Sequence, residues 1–283
     1  MTRVVRGRAE LRAALAALPR PIGLVPTMGA LHDGHRALIR ASRAADAATV
    51  VSVFVNPRQF GESADLAGYP RDEAADVALC AAEGVALVWA PAVTDAYPPG
   101  FQTTVGIGSL AQPLEGAARP GHFDGVATVV AILLALVGPE RAYFGRKDAQ
   151  QLAVVTRMAT DLGLPTRIVG CPTVREPDGL ARSSRNVRLT PADRLAAPVV
   201  HRALAAALAH HAAGERSAAA LRSVMDAVLA AEPRAQREYV SVADPATLAE
   251  LDAVGPEGAL LSLAVRFGAV RLIDNETIPP AAA

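Results

Sequence analysis

The sequence predicts an α/β fold, in which a Rossmann-like parallel sheet with helices on both faces is followed by a smaller α+β domain. Through about residue 174, short apolar runs alternate with helical patterns, which is the order typical of a parallel sheet. The run 22–26 is continuously apolar, as expected for a strand that is buried on both faces. After residue 174, Ala-rich helices come first and strands follow. We therefore expect two domains, residues 1–174 and 175–283.

The strands of the first domain are predicted from short apolar or β-branched runs bounded by turn residues. The strongest is 49–55, TVVSVFV, which ends at Asn56-Pro57. Residues 22–26 form a similar run, after Pro19 has ended a short amphipathic helix. The remaining predicted strands are 85–89, 141–144 and 166–169, and the predicted helices are 10–18, 34–47, 72–83, 125–137 and 148–162.

The second domain is predicted from two Ala-rich segments, 191–211 and 218–230, which keep helical periodicity. Strands are predicted at 238–242, 260–267 and 269–273. Because Gly268 alone separates the last two, they are expected to form an antiparallel hairpin.

Composition narrows the class of protein. Hydrophobic residues make up 51% of the 283 residues and charged residues 20%, so the chain should fold. Its 28 basic and 28 acidic residues balance, which predicts neither a nucleic-acid partner nor a membrane partner. Cys80 and Cys171 form no CxxC pair, and the apolar stretch 126–137 is too short to cross a bilayer. A reduced, cytoplasmic setting is therefore expected.

Lys147 is the single lysine among the 28 basic residues, and it follows Gly145-Arg146 at a predicted strand-to-helix turn. Lysine offers a compact point charge where arginine offers a broad planar fork, so the two are not equivalent beside a phosphate. Asp148 is suited to cap the next helix or to hold ribose hydroxyls. The alternative interpretation is a capped helix with surface charge, in a chain whose composition favours arginine.

The segment His32-Asp33-Gly34-His35 lies where a strand ends and a helix is predicted to begin. The first turn of a helix has unpaired N–H groups and a positive dipole end, so it attracts phosphate. Two histidines there can donate further hydrogen bonds. A plain helix cap with two surface histidines is the alternative, and a zinc site is disfavoured because no third ligand is nearby.

Three more segments combine polar side chains with turn residues: 56–60 after the strongest strand, 119–125 before a helix, and 179–186, which suits a mobile phosphate clamp. Taken singly, the last is as well explained by a polar linker.

The order and spacing of all five segments resemble the pantoate–β-alanine ligases, nucleotidyltransferases with an HxGH-type signature. The resemblance is carried by the following stretches, with a further match at 271–275: PTMGALHDGH (26–35), FVNPRQF (54–60), GHFDGVATVV (121–130) and TVREPDGLARSSRN (173–186).

The resemblance implies a two-step reaction and a set of site residues. Pantoate attacks the α-phosphorus of ATP to give pantoyl adenylate and pyrophosphate, and β-alanine then displaces AMP. Mg²⁺ is expected to arrive with ATP, no protein metal site is implied, and a homodimer is expected.

The implied catalytic residues are His35, as the proton donor, with His32 and Lys147 on the phosphates. The implied ATP-binding residues are Met28, Gly29, His32, His35, Gly145, Lys147, Asp148, Val174, Arg182, Ser183, Ser184 and Arg185. The implied pantoate-binding residues are Gln59, Gln151 and Met28. The implied β-alanine-binding residues are Gln59 and Asn56. The supporting or metal-near residues are Tyr69, Asp76, Glu115 and Arg119.

Four positions depart from the family's usual residues: Arg58, Arg146, Ala149 and Arg182. Two rival functions stay open. One is a regulatory nucleotide-binding protein without ligase turnover, damaged by Arg146, Ala149 and Arg182, and the other is an adenylyltransferase acting on a different acid. The presence of both Gln59 and Gln151 favours pantoate over either rival.

Overall fold

The computed structural model describes residues 2–61 and 66–281. The chain divides into two compact units. Unit 1 comprises Met1–Arg146 and Gln150–Pro172, and unit 2 comprises Lys147–Ala149 and Thr173–Ala283. The predicted fold class is confirmed, since unit 1 contains a parallel sheet and unit 2 an antiparallel one. The division lies two residues before the predicted one, and it also assigns 147–149 to unit 2.

Unit 1 is built on a six-stranded parallel sheet in the order β1-β4-β3-β2-β5-β6. Its strands are β1 (Arg3–Val5), β2 (Ile22–Thr27), β3 (Ala48–Val53), β4 (Leu87–Trp89), β5 (Arg141–Gly145) and β6 (Arg167–Cys171). The helices associated with this sheet are α1 (Arg8–Ala16), α2 (Asp33–Ala45), α3 (Glu73–Ala82), α4 (Val93–Ala96), α5 (Glu115–Ala118), α6 (His122–Val137) and α7 (Ala149–Asp161).

Successive residues of the central strands enter two different cores. Leu24 packs with Val50 in one apolar cluster, whereas Val25 packs with Val51 in the other. Because side chains alternate across a strand, these clusters lie on opposite faces of the sheet. This is why the strands read as continuous apolar runs rather than as alternating ones.

The strand order changes direction at β2. The chain leaves β2 for β3 on one side, and β5 later joins β2 on the other side. Ligands of open parallel sheets bind outside the carboxyl ends of the strands at such a switch point. The segments that follow β2 and β3, together with Gly145 at the end of β5, are therefore placed where a ligand is expected.

Unit 2 packs helices on one antiparallel sheet, in the order β7-β8-β9. Its elements are α8 (Pro191–Ala196), α9 (Val199–Ala212), α10 (Ala218–Ala230), β7 (Gln236–Ala243), β8 (Ala259–Phe267) and β9 (Val270–Ile278). Leu204, Met225 and Phe267 are fully buried in its core. The predicted hairpin at Gly268 is confirmed: Phe267 pairs with Val270, and Gly268 has φ +55°.

Three features of local structure differ from the predictions. The helix predicted over 191–211 is two helices, because Pro198 lacks the N–H that would continue the first. The strand Arg3–Val5 was not predicted, since three residues are too few to show a pattern. The last strand also continues to Ile278, five residues beyond its predicted end at 273.

Cys80 and Cys171 are buried as free thiols, and burial raises the pKa of Cys80 to about 12. Within residues 2–61 and 66–281, no helix combines the length and the apolar character needed to cross a membrane.

Candidate active site

The turn between β2 and α2 is fixed by hydrogen bonds from two directions. Thr27 donates its hydroxyl to the Ser52 carbonyl at 2.7 Å and accepts the Gly29 N–H at 3.2 Å. Gly29 has φ +82° and Ala30 has φ +50°. These left-handed conformations turn the chain sharply before α2. Glycine adopts such a conformation without steric cost, whereas Ala30 has a Cβ atom and is held in it against that cost.

Asp76 of α3 holds the same turn from the other side. Its carboxylate is 3% exposed and accepts the N–H groups of Ala30 and Leu31 at 3.0 and 2.7 Å. Burial raises the pKa of Asp76, and these two hydrogen bonds act in the opposite direction. A Cβ atom on Gly29 would lie 2.8 Å from the Asp76 Oδ2 atom, so glycine is required there by space as well as by φ.

His32 and His35 begin α2 as a reciprocal cap. The Nδ1 atom of His32 accepts the Gly34 N–H at 3.1 Å, and the Nδ1 atom of His35 accepts the His32 N–H at 3.2 Å. An atom that accepts an N–H bond carries no proton, so the proton of each neutral ring is on Nε2. The ring centroids are 4.2 Å apart. The cap therefore orders two Nε2–H donors at the positive end of a helix.

A second cluster joins the end of β3 to the turn after β2. Asn56 donates its amide to the Gln59 Oε1 atom and to the Gly125 carbonyl, both at 3.0 Å, and Gln59 Nε2 lies 3.2 Å from the Met28 sulfur. Tyr97 donates its hydroxyl to Asn56 Oδ1 at 2.7 Å. Asn56 and Gln59 are buried, so both amides are held in fixed orientations.

The main chain of Gln59 is held by the start of α6. His122 Nδ1 donates to the Gln59 carbonyl at 2.8 Å, and Arg119 donates to the same oxygen at 3.1 Å. Gly125 lets α6 approach this segment, because a Cβ atom there would lie 2.3 Å from the Arg58 carbonyl. The segment 119–125 is predicted from the sequence to carry polar chemistry, but the contact of His122 with the Gln59 carbonyl was not predicted.

The two neighbouring glutamines at the start of α7 differ in their surroundings. Gln150 is buried, accepts the Glu115 N–H at 2.9 Å, and donates to the carbonyls of Leu110 and Pro113. It therefore fixes the loop before α5. For Gln151, among the described residues, the structure shows no side-chain hydrogen bond, which suits a residue that contacts a substrate.

In unit 2, Lys147 has a side chain that is 17% exposed, and its Nζ atom lies 3.2 Å from Asp148 Oδ1. Its main-chain carbonyl accepts the Asn275 amide at 2.6 Å. Lys147, which is predicted to bind phosphate, is thus held through both its main chain and its side chain.

The segment 174–182 forms a hairpin within unit 2. Arg182 donates its N–H to the Val174 carbonyl at 2.9 Å, and Arg175 pairs with Ala181. Ser183 caps the short helical turn of residues 184–188 by accepting the Arg185 N–H at 3.3 Å. Val174, Arg182, Ser183 and Arg185 are therefore brought together on one hairpin and the turn that follows it.

The comparisons with known proteins agree with each other along nearly the whole chain. The family model of pantoate–β-alanine ligase matches residues 3–277. The chain belongs to the pantoate–β-alanine ligase family. It is 60% identical to the pantothenate synthetase of Chloroflexus aggregans over 96% of this chain and 98% of that one. The corresponding protein of a Roseiflexus species is 59% identical over 96% and 98%.

Solved structures of the family have the same fold. The crystal structure of pantothenate synthetase from Thermus thermophilus has a TM-score of 0.94 and 49% identity, and covers 98% of this chain and 100% of that one. A pantoate–β-alanine ligase from Francisella tularensis, complexed with a β,γ form of ATP and with β-alanine, has a TM-score of 0.81 and 30% identity, covering 98% of each chain.

Three of the departures from the family's usual residues have local partners in this ligase. The Arg58 guanidinium lies over the rings of Tyr97 and Phe101, at 5.3 and 5.2 Å from their centroids. Arg146 donates to the Gly170 carbonyl at 3.3 Å, and Arg182 forms an ion pair with Glu176 at 3.1 Å. Each substituted guanidinium thus has a partner within its own unit. For Ala149, nothing in the structure explains the replacement.

Of the four supporting residues, Tyr69, Asp76 and Glu115 are buried in unit 1, and Arg119 is half-buried. Tyr69 meets the Phe60 ring edge-on at 5.7 Å, and Glu115 begins α5. Both lie beside segments that hold the predicted substrate residues, which suits a supporting role.

Proposed function

We propose that this ligase uses ATP with its Mg²⁺ to condense pantoate with β-alanine in the cytoplasm, by way of pantoyl adenylate, and that it acts as a homodimer. The observation that carries the proposal is the pair of Nε2–H donors on His32 and His35. They are ordered in the same unit as the buried amides of Asn56 and Gln59. The first pair suits phosphate, and the second suits a small polar acid.

In the proposed first step, a pantoate carboxylate oxygen attacks the α-phosphorus of ATP. The new P–O bond forms as the bond to pyrophosphate breaks, so the negative charge develops on phosphate oxygens. Preorganised donors stabilise such charge without needing to reorient during the reaction. His32 and His35 supply Nε2–H groups at the α2 N-terminus, and Lys147 supplies a positive charge.

In the proposed second step, the amine of β-alanine attacks the acyl carbon of pantoyl adenylate. The bond from that carbon to the phosphate oxygen breaks, AMP leaves, and the amine loses a proton as the amide forms. Gln59 and Gln151 hold the pantoyl group, while Asn56 with Gln59 lies near the amine. Holding the two reactants in the right orientation contributes much of the rate enhancement, and no protein nucleophile is required.

Further roles within this proposal are assigned from the family pattern. Met28, Gly29 and Gly145 line the nucleotide site through the main chain. Asp148 binds the ribose, and the hairpin residues Val174 and Arg182, with Ser183, Ser184 and Arg185 after them, cover the nucleotide. The second domain predicted from the sequence, residues 175–283, is expected to act as a lid.

The proposal is tested by the products that form with each set of substrates. ATP and pantoate alone should give a single turnover that releases pyrophosphate, and AMP should accumulate through many turnovers once β-alanine is added. AMP release that is equally fast without pantoate would exclude the ligase function. Turnover with another acid but not with pantoate would favour the adenylyltransferase. ATP binding without turnover would favour the nucleotide-binding protein that lacks ligase activity.

The glutamines should separate pantoate use from ATP binding. Loss of a hydrogen bond in a site closed to water costs about 1–3 kcal/mol. Gln59→Ala and Gln151→Ala should therefore each lower kcat/KM for pantoate about tenfold or more. Steady-state kinetics with each substrate varied in turn, beside ATP binding by calorimetry, would measure this.

A matched control for the glutamines is Gln236→Ala, at an exposed position of β7, which should behave as wild type. If ATP binding falls as far as pantoate use in the Gln59 and Gln151 variants, the two residues have been assigned to the wrong substrate.

A further inference from the structure

The segment 271–275 matches the family, yet no step of the proposed reaction uses it. It lies within β9, one of the two edge strands of the β7-β8-β9 sheet in unit 2. Apolar residues of this strand, such as Leu272 and Ile278, belong to the core. Asp274 and Asn275 are also buried, at 3% and 8% exposure, although both are polar. Burying such groups is costly unless they are hydrogen-bonded, so their partners indicate what the segment does.

The side chain of Asn275 is directed at the main chain of Lys147. Its Nδ2–H group donates to the Lys147 carbonyl at 2.6 Å, across 128 residues of sequence. This carbonyl lies in the short helical turn of residues 146–148, from which the lysine side chain departs. The contact therefore fixes the peptide that carries the proposed phosphate ligand.

The opposite face of β9 holds the hairpin of residues 174–182. Asp274 and Glu276 accept hydrogen bonds from Arg175 at 2.6 and 2.7 Å, and Arg175 also donates to the Gly179 carbonyl at 3.1 Å. Arg175 directly follows Val174, one of the proposed nucleotide contacts. Because neighbouring residues of a strand point to opposite faces, the strand holds one proposed ATP-contacting segment on each side.

The geometry points to Asn275 as a positioning residue for the reaction, acting through Lys147. This inference rests on the proposed function, in which the Lys147 charge stabilises phosphate. A flexible lysine side chain places its charge accurately when its main chain is fixed, and a misplacement of about 1 Å can cost about 100-fold in rate. The ion pair of Arg175 with the buried Asp274 keeps the strand itself in register with the hairpin.

Two substitutions test the contact. Asn275→Asp keeps the shape but replaces the N–H donor with an oxygen that faces a carbonyl oxygen, and Asn275→Ala removes the side chain. Both should slow single-turnover formation of pantoyl adenylate by about tenfold to 100-fold, with KM for pantoate unchanged. Thr277→Ala, two residues along the same face and exposed, is the matched control and should keep the wild-type rate.

A double substitution separates positioning from a merely structural role. If Asn275 acts through Lys147, Lys147→Ala with Asn275→Ala should be no slower than Lys147→Ala alone, because the second change has nothing left to position. Additive losses, a wild-type rate in both Asn275 variants, or a raised KM for pantoate would overturn the inference. A wild-type protein that forms no pantoyl adenylate would instead reject the proposed function, and the inference with it.

Discussion

Lys147→Ala is expected to slow single-turnover formation of pantoyl adenylate by about 100-fold to 1,000-fold, the usual effect of removing one preorganised donor to a developing oxyanion. The side chain is largely enclosed and lies beside Asp148. The Lys147 ammonium group, which is proposed to contact ATP, is thus held in place. Its removal should lower the rate of adenylate formation even at saturating ATP. Rapid-quench measurement with ATP and pantoate would record it.

Lys147→Arg should also be strongly impaired, by about 100-fold, although it conserves the charge. A guanidinium is broader than an ammonium group and would displace the phosphate by about an ångström. Arg12→Lys, at an exposed position of α1, is the matched control and should have no effect. If Lys147→Arg keeps the wild-type rate, the single lysine of this chain reflects composition rather than function.

His32→Asn is expected to separate the capping role of this residue from its chemistry. Asparagine is a favourable N-cap, so its side chain should still accept the Gly34 N–H. It cannot reproduce the Nε2–H donor, which the tautomer of His32 directs to a different position. The melting temperature should therefore stay close to that of the wild type, while pantoyl adenylate formation falls by about 100-fold.

His32→Ala should lose both properties, with a further loss of about 1 kcal/mol of stability because the cap is removed. Thermal melting and single-turnover kinetics of the two variants distinguish the roles. A His32→Asn protein with the wild-type rate would leave the helix cap as the whole function of this residue.

The fold could be predicted largely from hydrophobic patterning. Segments such as 49–55 are mostly apolar or β-branched because both faces of the sheet are covered, and this pattern can be recognised without knowledge of the tertiary structure. The errors occurred where the signal is local and weak. The strand Arg3–Val5 depends on pairing with Leu87–Trp89, more than 80 residues away, and the break at Pro198 is a single-residue effect within a periodic helix.

Candidate site residues could be proposed from the sequence where polar chemistry is concentrated in short motifs, and their roles stay predictions. His32 and His35 lie three residues apart, and in the structure each accepts a main-chain N–H group at the start of α2 through its Nδ1 atom. The contacts that hold the motifs could not be predicted, because the partners are distant in sequence. Asp76 binds a turn 45 residues earlier, and His122 binds the carbonyl of Gln59, 63 residues earlier. Such contacts leave no periodic signal in a single sequence.

The assignment of Lys147–Ala149 to unit 2 bears on how freely this part of the protein can be exchanged between relatives. The chain passes from one unit to the other after residues 146, 149 and 172, rather than once. A fragment that begins at Thr173 would contain β9 but lack the carbonyl that Asn275 binds. The C-terminal unit is therefore not a self-contained module, since three of its residues are encoded within the other unit, and recombination at a single junction would separate them from it.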